Sequence, residues 1–203
     1  STGTVRCCEE FSSVDGIAGN CNDLGIKYLT VYAFSTENLK REINEVSALF
    51  DIAIKGITEH TESLMRKNTR LKILGDMSLL PEKLASAMKR AEEYLSGNTG
   101  LTFCIAFCYG GRQDIVNAVK RIIAEGVTDI DTESFKKYLY TSDIPDPDLI
   151  IRTSGEQRIS NFLLYQSAYS EYYFTDTYWP DFDLDCLKKA LEAFGKRKRR
   201  YGR

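Results

Sequence analysis

The chain has 203 residues, 43% hydrophobic and 28% charged, with a formal net charge of −2. This is the balance of a globular protein long enough for one substantial core. The charge gives no general pull toward nucleic acid, and no run approaches the roughly 18 uncharged apolar residues that a membrane span requires. No charged, apolar and then small-residue leader opens the sequence, so a cytoplasmic address is expected, with a single domain over residues 1–203.

Phe11, Val14, Ile17, Cys21 and Leu24 recur at helical spacing. Gly16 and Gly19 each weaken such a helix by about 1 kcal/mol relative to alanine, so a partial helix closed at Gly25 is expected. Lys27 to Phe34 is rich in β-branched and aromatic residues and runs into Ser35-Thr36-Glu37-Asn38, a strand leading into a polar loop. In open α/β sheets ligands sit at such carboxyl ends of strands. Val46, Leu49, Phe50, Ala53, Ile57 and Leu64 draw one stripe of a long helix from Ile43 to about Lys67. The only histidine, His60, lies near that stripe and reads as structural, which leaves no histidine-based metal site or triad.

Leu71 to Leu74 predicts a short strand, Pro81 opens a helix carrying Leu84, Met88, Ala91 and Leu95, and Leu101 to Phe107 predicts a buried strand. Tyr109-Gly110-Gly111-Arg112 then starts another amphipathic helix. Its glycines either make a tight turn or offer backbone N–H groups to an anion. Asp131 or Thr132 caps a short helix, Asp148 to Ile151 is a strand that delivers Arg152, and Phe162 to Tyr169 reads as a buried helix. Tyr172 to Phe174 is a last strand, followed by a helix from Leu184 to about Arg200. Five strand-then-helix alternations predict a single α/β domain, a mainly parallel sheet flanked by helices. The tail Lys196-Arg197-Lys198-Arg199-Arg200 reads as a solvated helix end, with peripheral contact to anionic lipid head groups as the sharper alternative. Cys7, Cys8, Cys21, Cys104, Cys108 and Cys186 match no metal spacing and read as reduced thiols.

The densest chemistry lies in Arg152-Thr153-Ser154-Gly155-Glu156-Gln157-Arg158-Ile159-Ser160, with Glu171 beyond it. Two arginines around a Ser-Gly turn, with a hydroxyl and a carboxylate after them, suit a diphosphate and a hard divalent cation. Together with Tyr32 to Asn38, Arg41, Glu45-Val46, Tyr109 to Arg112, the run on to Leu164, Phe174 and Trp179-Pro180-Asp181-Phe182, this order of motifs resembles the cis-prenyltransferases, typified by undecaprenyl diphosphate synthase. The resemblance covers roughly residues 21–203. It implies an enzyme that condenses isopentenyl diphosphate with an allylic diphosphate such as farnesyl diphosphate, with undecaprenyl diphosphate, a cell-wall carrier lipid, as the implied product. It also implies Mg2+, a homodimer, no nucleic acid, and peripheral contact at the inner face of the membrane.

Carried over residue by residue, the resemblance makes Asn38 the catalytic polar group that assists proton removal. Ser35, Thr36, Glu37, Arg41, Arg152, Arg158, Ile159 and Ser160 become substrate-binding residues, and Glu171 the magnesium carboxylate. The chain departs from the family pattern at Leu39, usually tryptophan, at Glu42, usually proline, and at Cys108, usually asparagine. The family's opening strand and its Asp-Gly-Asn-Gly-Arg-Trp phosphate loop are not found, and Cys7 falls where a histidine would stand. Asp15-Gly16 is no substitute, because no apolar strand precedes it. The domain is therefore expected to be N-terminally incomplete, lacking its first strand and inactive as given, with a non-catalytic accessory subunit as the alternative.

Overall fold

The computed structural model of the chain describes residues 16–197. Helix α1, described over 16–23, buries Ile17, Ala18 and Cys21. It ends as its sequence dictates: Gly25 takes φ 74°, a left-handed value that costs glycine nothing, and the Ile26 amide donates to the Cys21 carbonyl at 3.0 Å. Gly16 lies in this helix, while Cys7, Phe11, Val14 and Asp15 fall outside the described residues.

Strand β1 (Tyr28–Ser35) is followed by a 3-10 turn (Thr36–Lys40) and α2 (Ile43–Arg66), then β2 (Arg70–Leu74) and α3 (Glu82–Leu95). Strand β3 (Thr102–Tyr109) leads to α4 (Gly111–Ala124) and the short α5 (Thr132–Lys136), and β4 (Leu149–Arg152), β5 (Glu171–Phe174) and α6 (Leu184–Gly195) close the order. Every strand pairing is parallel, as expected for strands joined by helical crossovers. The parallel α/β frame is as expected, and among the described residues its strands pair in two groups, three strands ordered β1-β3-β2 and the pair β4-β5.

Strand β3 is buried along all eight residues because both of its faces are covered. Phe103, Ile105 and Phe107 face the main core, with Phe50, Ala53, Ile57 and Leu64 of α2 and Leu84, Met88, Ala91 and Leu95 of α3. Cys104 and Ala106 face a second cluster that holds Tyr109 and Leu163. The alternation slips at Cys108, whose φ is 48°, so Tyr109 turns to the second cluster. The pairing of β1 with β3 also shifts register between Tyr32 and Ser35. Irregularities of this kind bend a strand end and re-aim its side chains. Phe34, Phe50 and Phe107 lock the main core, with Phe34 and Phe107 stacked at 5.1 Å.

A cavity of about 710 Å³ separates the two sheets. It is lined by every residue from 27 to 33 along β1 and from 149 to 153 along β4. Alternate side chains of a strand point to opposite faces, so an unbroken run of lining residues means that the cavity meets the backbone edges of both strands. One expectation fails between the sheets: residues 162–169 form turns instead of a helix. Positive φ at Ser160 (48°), Asn161 (65°) and Leu163 (44°) takes the chain off any helical path. The last helix also ends earlier than expected, at Gly195. Among the described residues no helix is long and apolar enough to cross a membrane.

Candidate functional site

The site candidates gather at the carboxyl ends of β1 and β4. Strand β1 ends at Ser35, which caps the following turn: its Oγ accepts from the Asn38 amide at 3.3 Å, and the Asn38 Oδ1 accepts from the Ser35 amide at 2.8 Å. This reciprocal pair fixes the loop and commits the Asn38 side-chain carbonyl to it. Thr36 Oγ1 donates to Glu37 Oε2 at 3.2 Å, and Asn161 Nδ2 donates to Glu37 Oε1 at 2.9 Å. Burial pushes the Glu37 carboxyl up, but hydrogen bonds from its own amide, Asn161, Ser35 and Thr36 outweigh this and hold it below the usual range. Arg41 stands apart, exposed and paired with Glu45 at 2.8 Å.

Strand β4 ends at Arg152, after which Ser154 (φ 68°) and Gly155 (φ 71°) turn the chain. Their amides donate to the carbonyls of Thr177 (2.8 Å) and Thr175 (2.9 Å), which follow β5. The Nε of Arg152 is buried without a hydrogen-bond partner among the described residues. A buried donor left unpaired costs about 1–3 kcal/mol, so its natural complement is an acceptor outside the described residues, such as a phosphate oxygen. Arg152 and Ile159 line the cavity between the sheets. Arg158 is exposed, and its Nη1 meets Glu156 Oε2 at 2.5 Å. Ser160 and Asn161 are the two central residues of a turn closed by the Phe162 amide on the Ile159 carbonyl at 3.0 Å.

The two strand ends meet through side chains that sequence reasoning passed over as bystanders. Tyr32 stacks on Phe162 with ring centres 4.7 Å apart and donates to the Tyr109 carbonyl at 3.0 Å. Asn161 accepts from the Arg112 amide at 2.8 Å through Oδ1 and from the Gly111 amide at 2.6 Å through its carbonyl. The first two donors of α4 are therefore occupied and do not await an anion, which removes that reading of the glycine pair, and what the glycines allow is a close approach of the chain. A Cβ on Gly111 would lie 2.7 Å from Leu164 Cγ. The available signal was a Ser-Asn pair placed to take left-handed conformations, which asparagine tolerates.

Glu171 does not join this group. It begins β5 in register with Leu149, whereas Arg152 pairs with Phe174 at the other end of the two strands. Its Oε2 pairs with Arg197 Nη1 at 2.7 Å. Among the described residues no cluster of three histidine, cysteine, aspartate or glutamate side chains could hold a metal ion. The chemistry of Glu171 suits magnesium only as a single hard oxygen ligand. Cys21, Cys104 and Cys108 are buried, and burial pushes their thiols up to about 11, 12 and 12, so they stay protonated.

An all-parallel frame whose strand ends hold a buried arginine Nε without a partner among the described residues, beside an arginine-bearing turn, is an α/β arrangement suited to an anionic, phosphate-like group. The prenyltransferase family model of undecaprenyl diphosphate synthase matches residues 8–202, and the chain belongs to that family. The isoprenyl transferase of Neisseria meningitidis is 47% identical over 191 residues, covering 94% of this chain and 77% of the relative. That of Fusobacterium nucleatum is 51% identical over 180 residues, covering 89% and 78%. The lavandulyl diphosphate synthase of Lavandula x intermedia, solved with dimethylallyl diphosphate, superposes with a TM-score of 0.92 at 36% identity, covering 97% of this chain and 87% of that one. A probable undecaprenyl diphosphate synthase of Campylobacter jejuni superposes with a TM-score of 0.86 at 31% identity, covering 96% and 92%. Nothing in these likenesses supports an inactive chain or an accessory subunit.

Proposed function

We propose that the chain is a cis-prenyltransferase that condenses isopentenyl diphosphate with an allylic diphosphate such as farnesyl diphosphate, yielding a longer cis-polyprenyl diphosphate, with undecaprenyl diphosphate as the product. The observation that carries this is the unpaired, buried Nε of Arg152 at the mouth of the cavity, in a chain 47% and 51% identical to isoprenyl transferases. Arg152, Arg158, Ile159 and Ser160 hold the isopentenyl diphosphate, the arginines by paired N–H donors and Ser160 by its hydroxyl. Glu156, now on Arg158, yields it to the diphosphate.

Each condensation forms one carbon–carbon bond, releases the allylic diphosphate and loses one proton from the isopentenyl unit. Asn38 cannot take that proton as a base, and its carbonyl already accepts from the Ser35 amide. Its role is to orient the isopentenyl unit while a diphosphate oxygen or water accepts the proton. Ser35, Thr36 and Glu37 face the substrate from the same loop, and Arg41 joins them once released by Glu45. Magnesium, when bound, would neutralise diphosphate charge, and Glu171, the carboxylate the resemblance offers for it, would have to leave Arg197 and reach toward the Arg152 end of β4 and β5 to hold it. A homodimer, and peripheral membrane contact for release of the lipid product, belong to the same proposal.

The test incubates the chain with farnesyl diphosphate, labelled isopentenyl diphosphate and magnesium and separates the extracted prenyl products by chain length. Products longer than farnesyl are expected. No elongation by a chain that binds isopentenyl diphosphate would overturn the catalytic reading.

A further inference from the structure

We infer that Asn161 is a positioning residue that sets the diphosphate clamp against the Ser35–Asn38 loop; this rests on the site reading above. Four hydrogen bonds converge on this one residue. Its Nδ2 donates to Glu37 Oε1 at 2.9 Å and to Gln113 Oε1 at 3.0 Å, its Oδ1 accepts from the Arg112 amide at 2.8 Å, and its carbonyl accepts from the Gly111 amide at 2.6 Å. These partners belong, with Asn161 itself, to three segments far apart in sequence: the loop after β1, the start of α4 and the turn that ends the clamp.

Asn161 follows Ser160 directly, and both hold positive φ, 65° and 48°. A serine in this region is strained and stays only where its surroundings impose it. The Asn161 bonds supply that constraint on one side, and the stack of Phe162 on Tyr32 supplies it on the other. The fit leaves no slack, since a Cβ on Gly110 would lie 2.7 Å from Asn161 Nδ2 and 2.7 Å from Thr36 Oγ1. If the turn were released, Ser160 would relax and Arg158, two residues before it, would lose its fixed relation to Asn38. Such a residue touches no substrate, yet it decides whether donors on β1 and donors on β4 face one diphosphate.

The test titrates isopentenyl diphosphate with magnesium into the parent and the variants by calorimetry, with thermal unfolding of each. Asn161→Asp keeps the acceptor and the tolerance for positive φ but sets a carboxylate against Glu37. It is expected to weaken binding about tenfold or more while still folding. Adding Glu37→Gln restores a donor toward the introduced carboxylate, so in the Glu37→Gln background, measured against Glu37→Gln alone, Asn161→Asp is expected to cost little further affinity, a rescue that general loss of packing would not give. Should Asn161→Asp fail to fold, Asn161→Gly keeps the turn conformation, drops the side-chain bonds and is expected to show the same loss. Parent-like affinity in a folded Asn161 variant, or an Asn161→Asp loss undiminished in the Glu37→Gln background, overturns the inference. No binding by the parent, or equal affinity in Arg158→Ala, instead overturns the reading of the clamp itself.

Discussion

The Glu37 carboxyl is pushed up by what burial it has and drawn down further by its own amide, Asn161, Ser35 and Thr36. A carboxyl held below its ordinary value near 4.5 stabilises the fold above that pH, and the contribution is lost as pH falls through the lower folded value. Glu37→Gln should therefore flatten the fall in melting temperature between about pH 5 and pH 3, relative to the parent. Gly75 makes a steeper demand: its φ is 142°, and a Cβ there would sit 1.9 Å from the Phe107 carbonyl oxygen. Gly75→Ala should cost roughly 2–4 kcal/mol, read from urea unfolding midpoints at unchanged slope. Chemistry was legible at this scale where residue type carries it, as in the arginines around Ser154-Gly155. It was not legible for Asn161, whose partners lie 124 and 48 residues away.

Strand β3 is bonded on both edges and covered on both faces. Its amides should exchange with solvent most slowly in the chain, and Phe107→Ala should cost about 3–5 kcal/mol by emptying its place against Phe34 and Phe50. Among the described residues one edge of β2 pairs with no strand, and α3 covers part of it: Glu92 Oε1 accepts from the Ile73 amide at 2.7 Å. Most elements could be read from periodicity because their apolar stripes face one core. Residues 162–169 misled for the same reason. Phe162 and Leu163 are apolar and packed in the second cluster, but turns with positive φ place them there, and spacing alone cannot distinguish such turns from a helix.

Across the whole molecule, two parallel half-sheets face each other over the cavity, with the edges of β1 and β4 turned toward it. The α/β class and parallel pairing follow from alternating strand and helix signals, whereas the division into two sheets depends on pairings that no local pattern encodes. Those amides of β1 that point to the cavity should exchange faster than their neighbours bonded to β3, which hydrogen-exchange NMR would resolve. The cavity also brings the buried end of Arg152 within reach of a ligand. Because that Nε has no partner among the described residues, Arg152→Met removes a donor that satisfies nothing there, so the melting temperature should not fall. The most direct measurement is a calorimetric titration of isopentenyl diphosphate, in magnesium buffer, into the parent chain and into Arg152→Met. The account predicts an affinity at least about tenfold weaker in the variant at unchanged thermal stability, and equal affinities would contradict it.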